Sequence, residues 1–303
     1  MWYTSDFNDY ELLDTSDGER LERWKDILLI RPDPQVLWKN VRRHPLWTKA
    51  NAHYHRSAKG GGSWEIRHLD DDLLNKGWRI DRKKLSFCVR PTGFKHTGVF
   101  PEQAVNWDFI TEKIEGAGRP VSVLNLFAYT GGATLAAASA GAAVCHVDAS
   151  KGIVAWAKEN AALSGLSDAP IRYIVDDCKK FIEREMRRGR TYDAIIMDPP
   201  SYGRGPGGEV WKLEDGVDEL VSLAARLLSD NALFMLINSY TAGLSASTMG
   251  YLLELHVRAS HGGKVNAEEI GIPVTQTGAV LPSGSSARWE NGCPFAKMEK
   301  NSF

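Results

Sequence analysis

No apolar run among the 303 residues is long enough to cross a bilayer. The longest, such as Ala232 to Ile237, fall far short of the roughly 20 residues that a spanning helix needs. The opening MWYTSDFNDYELLD carries neither the basic nor the apolar region of a secretory signal. A cytoplasmic setting without a membrane partner is therefore expected. The four cysteines, Cys88, Cys145, Cys178 and Cys293, form no CxxC pair and have no histidine nearby at zinc spacing. Reduced thiols are expected, with neither a disulfide framework nor a metal. Internal repeats and low-complexity stretches are also missing. A chain of this length can bury one large core plus a smaller module without such staples.

A large net charge is missing too, but the formal value of −1 hides an asymmetry. Residues 1–30 hold three Lys/Arg against eight Asp/Glu, 31–100 hold fifteen against six, and 101–303 hold nineteen against twenty-four. The basic middle segment interleaves its charges with Trp38, Trp47, Tyr54, Trp64, Trp78, Phe87 and Phe94. That mixture grips phosphates and stacks on bases. It equally describes a small β module whose aromatics are its core and whose lysines are solvated.

Two grammars follow one another along the chain. Tyr10 to Pro32 reads as short strands around the turn signal Thr15-Ser16-Asp17-Gly18, and strand-like runs recur at Trp64 to Arg67 and within GWRIDRKKLSFCV. Residues 1–95 thus form a small, basic, β-rich domain. From residue 96 onward apolar runs alternate with helical patterns. VSVLNLF (121–127), AAVCHVDAS (142–150), IRYIVDD (171–177), YDAIIMDPP (192–200) and NALFMLINS (231–239) are each followed by a helix-like stretch. Such alternation predicts a parallel sheet covered by helices, with ligands bound beyond the carboxyl ends of the strands. The tail KVNAEEIGIPVTQTGAVLPSGSSARWE reads as two more strands closing one edge.

The strand ends carry the chemistry. The first runs into NLFAYTGGATLA, where Gly131 and Gly132 permit a tight turn and a close approach to a ligand at the start of a helix. It is not the GxGxxG fingerprint, since Phe127 and Tyr129 crowd the turn, and a ligand without phosphates fits it better. The second strand ends in Asp148, about twenty residues on, where a carboxylate can accept both ribose hydroxyls. The third ends in Asp176-Asp177, placed for an adenine amino group. The fourth ends in Asp198-Pro199-Pro200-Ser201. Those prolines lack amide hydrogens and fix the backbone, so that carbonyls and the acid face a substrate donor such as an amino group. Tyr202 can stack on a flipped base, and the loop Gly203 to Gly208 can close over it.

Asn125 to Gly132, Asp148-Ala149-Ser150, Asp177 and DPPSYG together resemble the motifs of class I S-adenosylmethionine-dependent methyltransferases. The branch most similar is the large-subunit (23S) rRNA methyltransferases, whose first motif reads much like LNLFAYTGG and which carry a small β domain in front. TGVFPEQAVNW (97–107) and GIPVTQTGAVLPSGSSARW are similar as well. The resemblance implies an α/β, Rossmann-like class I methyltransferase fold: a mostly parallel central sheet, helices on both faces and an antiparallel edge strand, over residues 96–303. It implies S-adenosyl-L-methionine as cofactor. The methionine part would lie against Phe127, Tyr129 and Gly131, the ribose on Asp148, and the adenine near Asp177, with Ser150 and Phe100 as neighbours. Asn125, Thr130, Ala149, Asp176 and Asp198 complete that set. Asp198, Pro199, Pro200, Ser201 and Tyr202 would carry catalysis.

One departure matters. Relatives that methylate carbon-5 of cytosine add a cysteine thiolate to the ring, and the corresponding places here read DPPSYG and INSYTAGLS. A nitrogen target is favoured. The expected activity is thus methylation of a base nitrogen in rRNA or other structured RNA, with Arg42, Arg43, Lys83 and Lys84 in the RNA grip, a homodimer left open and no metal. Transfer to a protein or small molecule is the alternative within the same chemistry. A non-catalytic RNA-binding or assembly factor is the alternative outside it, and the intact Asp148 and DPPS argue against lost catalysis.

Overall fold

At the expected first turn, Asp17 (φ 57°) and Gly18 (φ 74°) join β1 (Tyr10–Ser16) to β2 (Glu19–Trp24). Positive φ at both turn residues matches the twist of the strands it connects. The computed structural model describes residues 1–57, 61–204, 210–241 and 243–292. They divide into two units, one of residues 1–106, 156–168 and 270–283, the other of residues 107–155, 169–269 and 284–303.

In the first unit β3 (Ile27–Pro32), β4 (Ala52–Arg56) and β5 (Gly62–Ile66) extend the hairpin into a five-stranded sheet in the order β1-β2-β3-β4-β5. Helix α1 (Asp71–Lys76), capped by the Asp70 side chain, leads to the hairpin of β6 (Trp78–Arg82) and β7 (Leu85–Val89). Backbone atoms of β7 are fastened by side chains of the 156–168 segment. Asn160 Oδ1 accepts from the Cys88 amide at 2.8 Å, and Trp156 Nε1 donates to the Cys88 carbonyl at 2.9 Å. Inside the unit, Glu22 accepts from Tyr10 and takes Arg31 in a two-pronged pair at 2.5 and 2.7 Å. Burial alone would raise the Glu22 carboxyl, but Arg20 and Arg31 outweigh it and hold the group at about 2.

The basic segment's aromatics divide between core and surface. Trp47, Tyr54, Trp78 and Phe87 are buried, whereas Trp38 and Phe94 are 41% and 68% exposed. Arg42, Arg43, Lys83 and Lys84 are all exposed. Arg42 pairs with Glu19 at 2.5 Å and lies over the Trp47 ring at 4.2 Å, and Lys83 pairs with Asp6 at 3.4 Å.

The alternating segments give β8 (Ser122–Leu126), β9 (Ala143–Asp148), β10 (Ile171–Val175) and β11 (Ala194–Met197), all mutually parallel. A short hairpin follows, β12 (Tyr202–Arg204) with β13 (Val210–Lys212). Next come β14 (Phe234–Ser239), parallel to β11, then β15 (Lys264–Pro273) and β16 (Val280–Glu290), the last antiparallel to β14. The sheet order is β10-β9-β8-β11-β14-β16-β15, so the C-terminal strands close one edge as the tail's pattern suggests. The intervening helices are α2 (Ala104–Glu115), α3 (Gly132–Ser139), α4 (Lys151–Leu163), α5 (Cys178–Arg187), α6 (Leu213–Ala225) and α7 (Ala246–Leu253). Leu124, Leu126, Val147, Ile195, Met197, Met235 and Ile237 pack from the strands against Phe181, Leu220, Val221 and Leu253 from the helices. This apolar layer anchors the strands whose ends form the site. Among the described residues no helix is long and apolar enough to cross a membrane.

Candidate functional site

The chain enters the sheet at β8, steps outward through β9 and β10, and returns to β11 on the other side of β8. The reversal leaves a crevice at the carboxyl ends of β8 and β11, the position at which open α/β sheets bind ligands. Register brings the strand ends level: Leu126 lies beside Val147 and Met197, Val175 beside Asp148, and Met197 beside Ile237. Phe127, Asp176 and Asp198, which follow these ends, therefore leave the sheet along one rim beside Asp148, the last residue of β9.

The turn after β8 is bent at every second residue: Phe127 (φ 56°), Tyr129 (φ 49°) and Gly131 (φ 93°) all have positive φ. For the two aromatics this conformation costs about 1–3 kcal/mol each, and it persists only where surroundings impose it. Three bonds do so. The Phe127 amide donates to Cys178 Sγ at 3.3 Å, the Ala128 amide to the Val147 carbonyl at 3.0 Å, and the Tyr129 amide to Asp148 Oδ2 at 3.0 Å. Thr130 is buried, while Phe127 and Tyr129 stay half-buried at the rim.

The two glycines differ in purpose. Gly131 supplies left-handed backbone at the start of α3. Gly132 supplies room, since a Cβ there would stand 2.5 Å from the Trp107 ring. Gly132→Ala is accordingly expected to destabilise the protein by about 1–3 kcal/mol through overpacking. A chemical melt compared with wild type checks this, and an unchanged midpoint would contradict it.

Asp148 is held from both sides, because Oδ1 accepts from the Ser150 amide at 2.9 Å while Oδ2 serves Tyr129. Burial raises its carboxyl above the usual range, and those two amide bonds counter the shift without reversing it. Each carboxylate oxygen keeps acceptor capacity beyond one bond, so a diol can still be met here. Ala149 and Ser150 are exposed beside it. Asp177 caps α5, Oδ1 accepting from the Lys180 amide at 2.9 Å, and Asp176 pairs with Arg184. Both acids at the end of β10 thus have structural work besides any ligand.

Asn125 does not join the rim. It is 2% exposed, and its Nδ2 donates to Thr134 Oγ1 at 2.9 Å, which in turn lies 2.9 Å from His146 Nδ1. Phe100 belongs to the first unit, where its ring packs on His96 with 5.0 Å between centroids.

At the end of β11, Asp198 is half-buried and its Oδ1 accepts from Asn238 Nδ2 at 3.0 Å. Ser286 Oγ holds Asn238 in turn, donating to its Oδ1 at 2.6 Å. Asn238 and Ser286 are 1% and 0% exposed, a buried relay that orients the acid from behind. Of the two proline carbonyls expected to face a substrate, that of Pro200 accepts from Trp211 Nε1 at 2.7 Å. Ser201 is likewise engaged: its carbonyl accepts from the Leu213 amide at 3.1 Å and its hydroxyl from Thr241 at 2.6 Å. Pro199 is buried, and Tyr202 is 52% exposed on β12. Part of the expected closing loop, 205–208, lies outside the described residues.

Cys178 is the one cysteine of the described residues that touches this turn. It is 3% exposed, and burial pushes its thiol far above the ordinary value. Cys88 and Cys145 are also buried, each pushed up to about 11 mainly by desolvation. Such thiols are not nucleophiles at neutral pH. The arrangement sets a carboxylate with spare acceptor capacity on one side of the crevice and an oriented carboxylate on the other.

Comparison with known proteins agrees with this geometry. The model of the S-adenosylmethionine-dependent methyltransferase family matches residues 55–257. Ribosomal RNA large subunit methyltransferase K/L of Shewanella frigidimarina is 34% identical over 168 residues, covering 52% of this chain and 23% of that protein. Its counterpart from Shewanella oneidensis is 33% identical over 173 residues, again 52% of this chain and 23% of that protein. The chain spans only about a quarter of the length of these curated relatives. Among solved structures, the SAM-dependent methyltransferase from Agrobacterium tumefaciens is 40% identical with a TM-score of 0.87, covering 96% of this chain and 93% of that one.

Proposed function

The chain belongs to the S-adenosylmethionine-dependent methyltransferase family, and from that premise we propose that it methylates a base nitrogen in structured RNA. S-adenosylmethionine is its cofactor and supplies an electrophilic methyl group on a sulfonium. The observation that carries the reading is the level rim of strand ends, with the 127–131 turn, Asp148 and Asp198 on the two sides of one crevice. In this reading the turn residues Phe127, Tyr129 and Gly131 flank the methionine part and the Asp148 carboxylate accepts the ribose hydroxyls. Asp177 and Ser150 border the adenine. The turn contains no lysine or arginine, in keeping with a ligand that has no phosphates to neutralise.

Asp198, backed by Asn238, accepts a hydrogen bond from the N–H of the base, and the Pro199 carbonyl is the second acceptor. Methyl transfer requires in-line approach of the nucleophile, so holding that nitrogen in place supplies much of the acceleration. The buried, protonated state of every cysteine among the described residues supports nitrogen over the covalent carbon route. Pro200, Ser201 and Trp211 brace the backbone behind the acceptors, and Tyr202 stands exposed where a base can stack.

RNA as substrate draws support from the names of the curated relatives and from the basic 31–100 segment, where Arg42, Arg43, Lys83 and Lys84 are exposed alongside Trp38 and Phe94. The same reading sets the protein in the cytoplasm. Arg42 and Lys83 meet acids in the free protein, so phosphates must compete with Glu19 and Asp6 for them. Neutralising all four to glutamine is expected to weaken binding to rRNA fragments and to reduce the slope of log affinity against log salt by up to about three. Cofactor affinity should stay constant. Filter binding across a salt series tests this. An unchanged slope, or a wild-type protein that ignores RNA at every salt concentration, would favour a protein or small-molecule substrate.

A further inference from the structure

The expectation that no metal is held rests on cysteine spacing. Histidine pairing across a hairpin is a different matter. His53 and His55 are alternate residues of β4 and so point to the same face. Register places Glu65 of β5 directly opposite His53. One donor atom from each of His53, His55 and Glu65 lies within 4.8 Å of the others, and the two imidazole rings stand 4.0 Å apart between centroids. Glu19 of β2 adds a second carboxylate, with Oε1 2.6 Å from His53 Nε2.

We propose that His53, His55 and Glu65 bind one divalent cation of the zinc class. Two imidazoles with a carboxylate suit Zn²⁺, Co²⁺ or Ni²⁺ and do not suit Mg²⁺. A tetrahedral zinc ion needs its donors about 3.3 Å apart, given metal–ligand distances near 2.0–2.2 Å. The approach from the observed spacing falls on movable groups, since the His55 and Glu65 side chains are 50% and 47% exposed, while His53 is the fixed post at 11%. Glu19 fills the role of the carboxylate that orients a metal-bound imidazole.

The bonds that must yield are also defined. His55 Nε2 lies 2.8 Å from Glu65 Oε2, and binding replaces that contact by two bonds to the ion. Arg67 is the competitor, with Nε and Nη2 at 2.8 and 3.1 Å from the two oxygens of Glu65. Arg42 opposes more weakly, through Glu19. The consequence is local. Among the described residues β5 is the outermost strand of its sheet and pairs only with β4, so an ion bonded to both strands and braced by β2 pins a sheet edge. Nothing in the methyl-transfer site is required for this.

The test uses tag-free full-length protein carrying Cys293→Ser, titrated with Zn²⁺ alone against a chromophoric chelator. One equivalent is expected to bind. His55→Ala or Glu65→Ala should each weaken it by about tenfold or more. Arg67→Ala should tighten it by removing the competing cation. Both ligand positions are exposed, and circular dichroism and cofactor binding verify that the variants fold. Hydrogen exchange at β5 amides should slow with zinc in the wild type and not in His55→Ala. Mg²⁺ should neither bind nor compete. Absence of a stoichiometric site, or a site that survives His55→Ala and Glu65→Ala undiminished, overturns the proposal.

Discussion

Asp198→Ala is expected to lower turnover by about two orders of magnitude or more while leaving S-adenosylmethionine affinity almost unchanged. In the proposed function the substitution removes the hydrogen bond to the nucleophile, and misplacing a reacting atom by about 1 Å costs on the order of a hundredfold. Single-turnover kinetics and calorimetry on the same preparation separate the two quantities. Asn238→Ala should slow the reaction in the same sense but less, because it leaves the carboxylate present and merely loosens its orientation. Replacing Cys88, Cys145 and Cys293 by alanine and Cys178 by serine, which keeps an acceptor for the Phe127 amide, should leave a folded, active enzyme. A thiolate adduct is obligatory only in carbon methylation, so that pair of results separates the two chemistries. A folded, cofactor-bound but inactive cysteine-free protein, or a trapped covalent protein–RNA adduct, would contradict the role given to Asp198 and Pro199.

Asp148→Ala should weaken S-adenosylmethionine binding by about 1.5–3 kcal/mol, the range of hydrogen bonds to a charged group. In dissociation constant that is roughly 10- to 150-fold. The carboxylate also holds the amides of Tyr129 and Ser150, so the weakening combines missing ribose hydrogen bonds with a loosened turn. Asp148→Asn helps to divide these contributions. It keeps one acceptor oxygen for a backbone amide but removes the charge and half of the diol acceptor, and it should fall between wild type and alanine. Calorimetric affinity equal to wild type in a folded Asp148→Ala protein would place the ribose elsewhere.

The strand ends are legible in the sequence because they rest on local grammar. An apolar run that stops at Asp148 or Asp198 announces both a buried strand and a polar rim, and the helices that follow force parallel pairing. Contacts set by register between distant segments are not legible. Asn238 meets Ser286 only because β14 and β16 run antiparallel with these two residues opposite each other, 48 positions apart. The proline pair does not announce the bond that Trp211 makes to the Pro200 carbonyl, because Trp211 comes from the far strand of a short hairpin. Composition also cannot separate a stacking aromatic from a core one. Trp47 and Tyr54 are buried while Phe94 is exposed, although all three sit among basic residues in the sequence. Gly131 and Gly132 look alike on paper, yet one answers to φ and the other to the Trp107 ring.

If this protein moves a methyl group from S-adenosylmethionine to a base nitrogen of RNA, the product itself will show it. Wild-type protein and Asp198→Ala are incubated with methyl-labelled S-adenosylmethionine and unmodified large-subunit rRNA, and the digested nucleosides are resolved by mass spectrometry. Label is expected in a single N-methylated nucleoside with wild type, and about a hundredfold less with Asp198→Ala. Label on a base carbon or a ribose oxygen, or labelled protein with unlabelled RNA, would contradict nitrogen methylation of RNA.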